Sequence, residues 1–231
     1  MNPKSRTFFL AAPLLLIATV FCVTWAFSFL LPPLFLAIPL LLAYYGFIWG
    51  SVALYQRRLA KGEDGPVLKY AELRPSYARL TAWMLAWTIA YPLLAGAVVA
   101  VRIMWSLPAG FIALGVLFAL VNGPSEEIFW RLLLERAGRD GGLSTSRRLW
   151  YASTVFSAWH FVFVVFLLPA GAVAMALVLT LGSTFVAGLL WMRVYQKTAN
   201  MFPNILSHTV LNALVIWPSV AFTVQDLMPL H

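Results

Sequence analysis

Three observations predict an all-α, polytopic membrane protein of about seven transmembrane helices. The 231 residues are 62% hydrophobic and only 10% charged, with a mean hydropathy of +0.85, whereas a water-soluble domain carries roughly 25% charged residues. Several runs reach the ~20 apolar residues that a helix needs to cross a bilayer, and the alternating ~10-residue pattern of a membrane barrel is absent. The basic residues, finally, gather in alternate connecting segments, as the positive-inside rule requires.

Met1 to Arg6 is a short basic start, and the first span follows from Thr7 to Leu31. It is longer than the ~7–15-residue apolar core of a signal peptide and runs into a second apolar stretch, which predicts a retained span. Pro32-Pro33 makes the turn into the second span, Leu34 to Tyr55, because the residue before a proline is pushed out of the helical region. Gly46-Phe-Ile-Trp-Gly50 has the spacing that lets two helices approach closely; chance placement of two glycines in an apolar helix explains it equally. Cys22, the one cysteine, excludes an intrachain disulfide and is expected to pack.

Gln56 to Arg79 is the longest polar segment, expected at the headgroups. The third span is Leu80 to Val101, and Arg102 to Pro108 turns the chain. The fourth runs from Ala109 to Glu135, too long for a straight crossing, and Gly123-Pro124 predicts a break that puts Glu126 and Glu127 in the first turn of a new half-helix. After the polar loop 136–148 come a fifth span, Leu149 to Leu168, a sixth, Ala172 to Met192, and a seventh, Met201 to Phe222. With the N-terminus inside, 14 of the 16 basic residues fall on the inner side; Arg102 lies outside and Arg131 within a span. That distribution predicts a plasma (inner) membrane protein with its N-terminus cytoplasmic, its C-terminus outside and its basic loops against an anionic inner leaflet. Basic residues confined to short loops do not make a nucleic-acid surface. No repeat or low-complexity tail divides the chain, so residues 1–231 are expected to form a single transmembrane domain.

Ionisable groups inside a span are costly, which makes each a candidate for function. Here they are Glu126, Glu127, Arg131, His160 and His208, with Asn212 as a polar neighbour. Counted from the nearest inner charge, Glu126, His160 and His208 lie at depths of roughly 15, 18 and 16 Å at ~1.5 Å per residue, so three helices bring polar groups to one level. Glu127 and Arg131 are four apart with the acid first, the favoured order for a pair, while Glu126 is turned about 100° away. Glu126 is therefore the carboxylate placed to act as a general base toward water. His208 and Asn212 share a face and can both donate to a developing oxyanion. Phe156 and His160 share a face in the same way. Each also has a plainer reading: a histidine can simply link two helices, a Glu–Arg pair can simply hold them, and Phe129, Trp130 and Trp159 are expected to be packing or lipid contacts. His231 is expected to be exposed and without a role.

Glu126-Glu127-Ile-Phe-Trp-Arg131, Phe156-Ser-Ala-Trp-His160 and His208-Thr-Val-Leu-Asn212 follow one another as EExxxR, FxxxH and HxxxN. The set resembles the CPBP family of intramembrane proteases, which includes CAAX prenyl endopeptidases and bacteriocin-processing or Abi proteins; the resemblance covers roughly residues 110–217. It implies an intramembrane active site that hydrolyses peptide bonds of membrane-associated or lipid-modified substrates without nucleic acid. Carried over, Glu126 activates water, Glu127 accompanies it, His160 positions water or moves protons, and His208 with Asn212 binds the oxyanion, with Arg131 and Phe156 as support. Family members often have Phe and Gly on either side of the motif arginine, where this chain has Trp130 and Leu132, which puts substrate fit near this helix in question. A metal-free glutamate mechanism is expected, because no His-Glu-x-x-His helix is present, with zinc on Glu126, His160 and His208 as the alternative that the family's long description as metalloproteases offers. Two other classes fit buried Glu, Arg and His: a proton-coupled transporter, and a catalytically silent immunity or chaperone protein of the same fold.

Overall fold

The computed structural model describes residues 2–59, 80–102, 107–167 and 170–217. Most of the polar segment 56–79, the turn before Pro108, the end of the seventh span and His231 lie outside the described residues. Every described element is a helix. Five helices are long and apolar enough to cross a membrane: Pro3–Ser28, Phe35–Arg57, Ala109–Asp140, Thr145–Leu167 and Val173–Thr198. Two shorter apolar helices, Ala82–Val98 and Phe202–Ile216, stand where the third and seventh spans were expected. Large apolar side chains such as Leu14, Leu15, Phe35, Ile38 and Leu42 are exposed, which is the surface of a protein whose solvent is lipid.

The chain divides into two compact units, one of residues Met1–Lys69 and Phe129–Gln196, the other of Tyr70–Ile128 and Lys197–His231. The first holds α1 (Pro3–Ser28), α2 (Pro33–Leu54), α6 (Leu134–Asp140), α7 (Thr145–Leu167) and most of α8 (Ala170–Thr198). The second holds α3 (Ala82–Leu85), α4 (Tyr91–Arg102), α5 (Ala109–Glu127) and α9 (Phe202–Leu211). Among the described residues four wider i→i+5 turns connect or extend these helices: Tyr55–Leu59 after α2, Ala86–Ala90 between α3 and α4, Ile128–Leu133 between α5 and α6, and Asn212–Ile216 after α9.

In the first unit α1 packs on α2, α6 and α7. The buried face of α2 is Leu36, Leu40, Tyr44, Ile48 and Val52, a row of every fourth residue that forms one ridge of an α-helix. A methyl group at Gly46 or Gly50 would meet nothing within 4 Å, so the close approach that their spacing allowed is not what these glycines provide. Cys22 is exposed rather than packed.

One end of this unit is tied by polar groups on the segments expected at the inner face. Arg148 donates from Nε to Glu135 Oε1 at 2.8 Å and from Nη1 to the Leu143 carbonyl, and Gln196 donates to Glu135 Oε2 at 2.9 Å. Nearby, Tyr55 donates its hydroxyl to Asp140 at 2.5 Å and the Asn2 amide donates to the Asp140 carbonyl at 2.8 Å. Glu135 and Arg148 are both buried, and removing one partner of such a pair strands the other charge. Arg148→Ala should therefore lower the unfolding free energy by about 3–5 kcal/mol, read as a fall in thermal midpoint in detergent, while exposed Arg147→Ala should leave it unchanged.

In the second unit α9 packs on α5 and on α4, and the turn after α9 packs on both α4 and α5. Asn200 accepts the Phe202 amide at 2.8 Å just ahead of α9, whose N-cap is Met201. Gly123 is what lets α5 meet α9 closely: a Cβ there would stand 2.9 Å from the Thr209 amide nitrogen and closer still to its hydroxyl. The break expected at Gly123-Pro124 does not occur. Pro124 is inside α5, and Glu126 and Glu127 end that helix rather than begin a new one. A proline removes one backbone donor without forcing a break when neighbouring helices support the turn, and the irregularity comes instead just after it, in the wide turn Ile128–Leu133. Wide turns of this kind gather at functional sites.

Candidate active site

In the second unit the structure brings together Glu126, Glu127 and His208. Nδ1 of His208 lies 2.8 Å from Glu127 Oε1, and Nε2 lies 3.4 Å from Glu126 Oε2. Adjacent residues of a helix point about 100° apart, yet the two nitrogens on opposite sides of one imidazole reach both carboxylates. All three side chains are buried, at 2%, 0% and 3% exposure in the order Glu126, Glu127, His208, so the contacts are made in a low dielectric where paired charges hold strongly. A carboxylate can only accept, so the shorter contact carries a proton between Nδ1 and Glu127; the imidazole is thereby oriented in its plane.

Asn212 opens the wide turn that follows α9, and its backbone amide donates to the His208 and Thr209 carbonyls. Its side chain is 1% exposed, and its Nδ2 donor has no hydrogen-bond partner among the described residues. A buried donor in that state is rare in folded proteins and calls for an explanation.

The other three expected residues are in the first unit. The Arg131 guanidinium lies over the Phe156 ring at 4.0 Å and the Trp191 ring at 5.1 Å, a cation–π arrangement strengthened by burial. His160 Nδ1 lies 2.9 Å from the Phe156 carbonyl; a carbonyl only accepts, so Nδ1 carries the hydrogen and Nε2 is the lone-pair nitrogen of the neutral ring. Phe129, Trp130 and Trp159 are packing residues, at 0%, 0% and 4% exposure.

Sequence reasoning missed two residues of this group, Trp191 and Tyr44. Tyr44 is fully buried on α2, accepts the Trp130 indole N–H at 3.0 Å and stacks on Trp159 at 3.9 Å with the rings 9° apart. The available signal was chemical: a tyrosine inside a membrane helix must find a partner for its hydroxyl. Among the described residues no group of three or more His, Cys, Asp and Glu side chains is arranged to hold a metal ion, and both His208 nitrogens face carboxylates.

Helices that expose apolar side chains to lipid and bury two adjacent carboxylates, a histidine and an arginine define an all-α integral membrane protein with polar groups inside it. Residues 108–214 match the family described as Rce1-like, type II CAAX prenyl endopeptidase. The match spans the part of the chain that carries all three motifs, and residues 1–107 and 215–231 lie outside it. No curated protein and no solved structure matches the chain.

Proposed function

We propose that this protein is an intramembrane endopeptidase that uses Glu126 to activate water. The Glu126 carboxylate takes a proton from water as the water oxygen bonds to the scissile carbonyl carbon, and the carbonyl oxygen becomes an oxyanion. Collapse of that tetrahedral species breaks the C–N bond, and the proton held by Glu126 passes to the leaving amine, giving one new carboxyl and one new amine terminus. Asn212 Nδ2 donates to the oxyanion, and so does His208, from Nε2–H, when its ring carries both protons. Glu127 orients His208 through Nδ1, and His160, with its lone pair on Nε2, positions the water. Arg131 and Phe156 support that histidine.

The observation that carries this reading is the Asn212 donor, buried and without a hydrogen-bond partner among the described residues, one turn beyond an imidazole that meets two carboxylates. A donor kept unpaired in the ground state strengthens its bond only as negative charge develops, which is how differential stabilisation of a transition state works. Substrates on this reading are membrane-embedded or lipid-modified peptides. No step needs a metal, so strong chelation should leave cleavage of a membrane peptide by the purified protein unchanged; loss of activity on chelation and its return with zinc would overturn the glutamate mechanism.

The distribution of basic residues supports an N-terminus on the cytoplasmic side of the plasma membrane. Cysteines introduced within 56–79 should then resist an impermeant reagent applied to whole cells, and rapid labelling there would reverse the orientation.

A further inference from the structure

We propose that Tyr44, in the part of the chain outside the family match, is a positioning residue that fixes the imidazole of His160. The His160 ring is held between two aromatic neighbours on its own helix: Phe156, edge-on at 5.0 Å and 82°, and Trp159, at 5.5 Å and 55°. Tyr44 reaches both sides. Its ring stacks flat on Trp159, whose buried indole N–H has no hydrogen-bond partner among the described residues, so stacking is what holds that indole. Its hydroxyl accepts the N–H of Trp130, and Trp130 packs edge-on against Phe156 at 5.6 Å and 67°. Phe156 in turn supplies the carbonyl that fixes the tautomer of His160. One side chain on α2 therefore sets both neighbours of the ring.

The pairing also accounts for a departure from the family pattern. Where members of the family that the motifs resemble often have Phe, this chain has Trp130, whose N–H needs an acceptor in an apolar interior. Tyr44 supplies it. Tyr44→Phe removes the acceptor and strands the indole N–H, which the chain relieves by shifting Trp130 against Phe156; replacing Trp130 by Phe as well removes the stranded donor and the reason to shift. The two substitutions should thus compensate each other.

The inference rests on the reading of His160 as a participant in hydrolysis, but its first test does not use activity. The chain has three histidines, His160, His208 and His231, so nitrogen NMR of histidine-labelled protein in lipid can be assigned with His160→Gln. In the parent, His160 should give the signature of a single Nδ1–H tautomer, in excess of about tenfold over the other. Tyr44→Phe should bring the two tautomers to within about threefold of each other, and Tyr44→Phe with Trp130→Phe should restore the parental spectrum. Tyr44→Leu, which removes the stack too, should give a mixture that Trp130→Phe does not rescue. A parental spectrum in Tyr44→Phe, or a double variant as mixed as the single one, overturns the proposal. Cleavage then separates the two claims: kcat of Tyr44→Phe should fall about tenfold with KM unchanged and recover in the double variant. If the parent cleaves no peptide while the spectra change as described, the positioning stands and the endopeptidase reading fails.

Discussion

Glu126→Gln is expected to lower kcat for cleavage of a membrane peptide by about 10³-fold or more, within the range that a general base contributes. At 1.36 kcal/mol per tenfold that is about 4 kcal/mol of barrier. Gln is nearly the same shape and keeps an oxygen that can accept from His208, so the loss is one of basicity and not of packing. The adjacent residue makes the control. Glu127 Oε1 lies closer to the imidazole than Glu126 Oε2 does, 2.8 Å against 3.4 Å, and Glu127→Gln also keeps an acceptor for Nδ1–H. Its effect should be limited to about 10–100-fold, the cost of a neutral instead of an ionised partner orienting the ring. Cleavage rates of the two purified variants, measured side by side with thermal midpoints, check the ordering; equal losses would mean that the two carboxylates act as one unit.

Asn212→Leu should separate stability from activity. The side chain is buried, and its Nδ2 donor meets no acceptor among the described residues. Leaving such a donor unpaired costs about 1–3 kcal/mol, and replacing it by an apolar group of similar shape removes that cost. The thermal midpoint should therefore stay level or rise. Cleavage should nevertheless fall by about 10²–10³, as for loss of one oxyanion donor, with the fall in kcat and not in KM. A site that holds a destabilising group for the sake of its reaction gives this opposition; a purely structural asparagine would lose stability and activity together. Calorimetry and cleavage on the same preparation decide between them.

Much of the fold is legible in the sequence because lipid imposes one simple demand, a long apolar helix, and each span read from an apolar run begins within about four residues of a helix found. The details set by packing were less accessible. Pro124 looked like a break because a proline lacks its amide hydrogen, but α5 continues through it and the wide turn at Ile128–Leu133 follows; wide turns depend on neighbours and leave no fixed pattern of residues. Gly46 and Gly50 had the spacing of a helix contact, whereas Gly123, beside the carboxylates, makes one.

At the site, residue type drew attention to Glu126, Glu127, His208 and Asn212, since each is expensive in an apolar run. How they meet was not legible. That one ring reaches two carboxylates 100° apart depends on the orientation of α9 against α5, which linear spacing does not carry. Tyr44 was passed over for a related reason: tyrosines are ordinary in membrane helices, and its contact with Trp130 joins residues 86 positions apart.

The central claim is that water, activated by Glu126, cuts a peptide bond within the membrane. Its most direct test is cleavage of membrane peptides by the purified protein in water enriched in oxygen-18, with mass spectrometry of the products. The parent should yield paired fragments, the new carboxyl terminus carrying one heavy oxygen, and Glu126→Gln should yield neither fragment above background. Labelled fragments formed by Glu126→Gln at the parental rate would contradict the account.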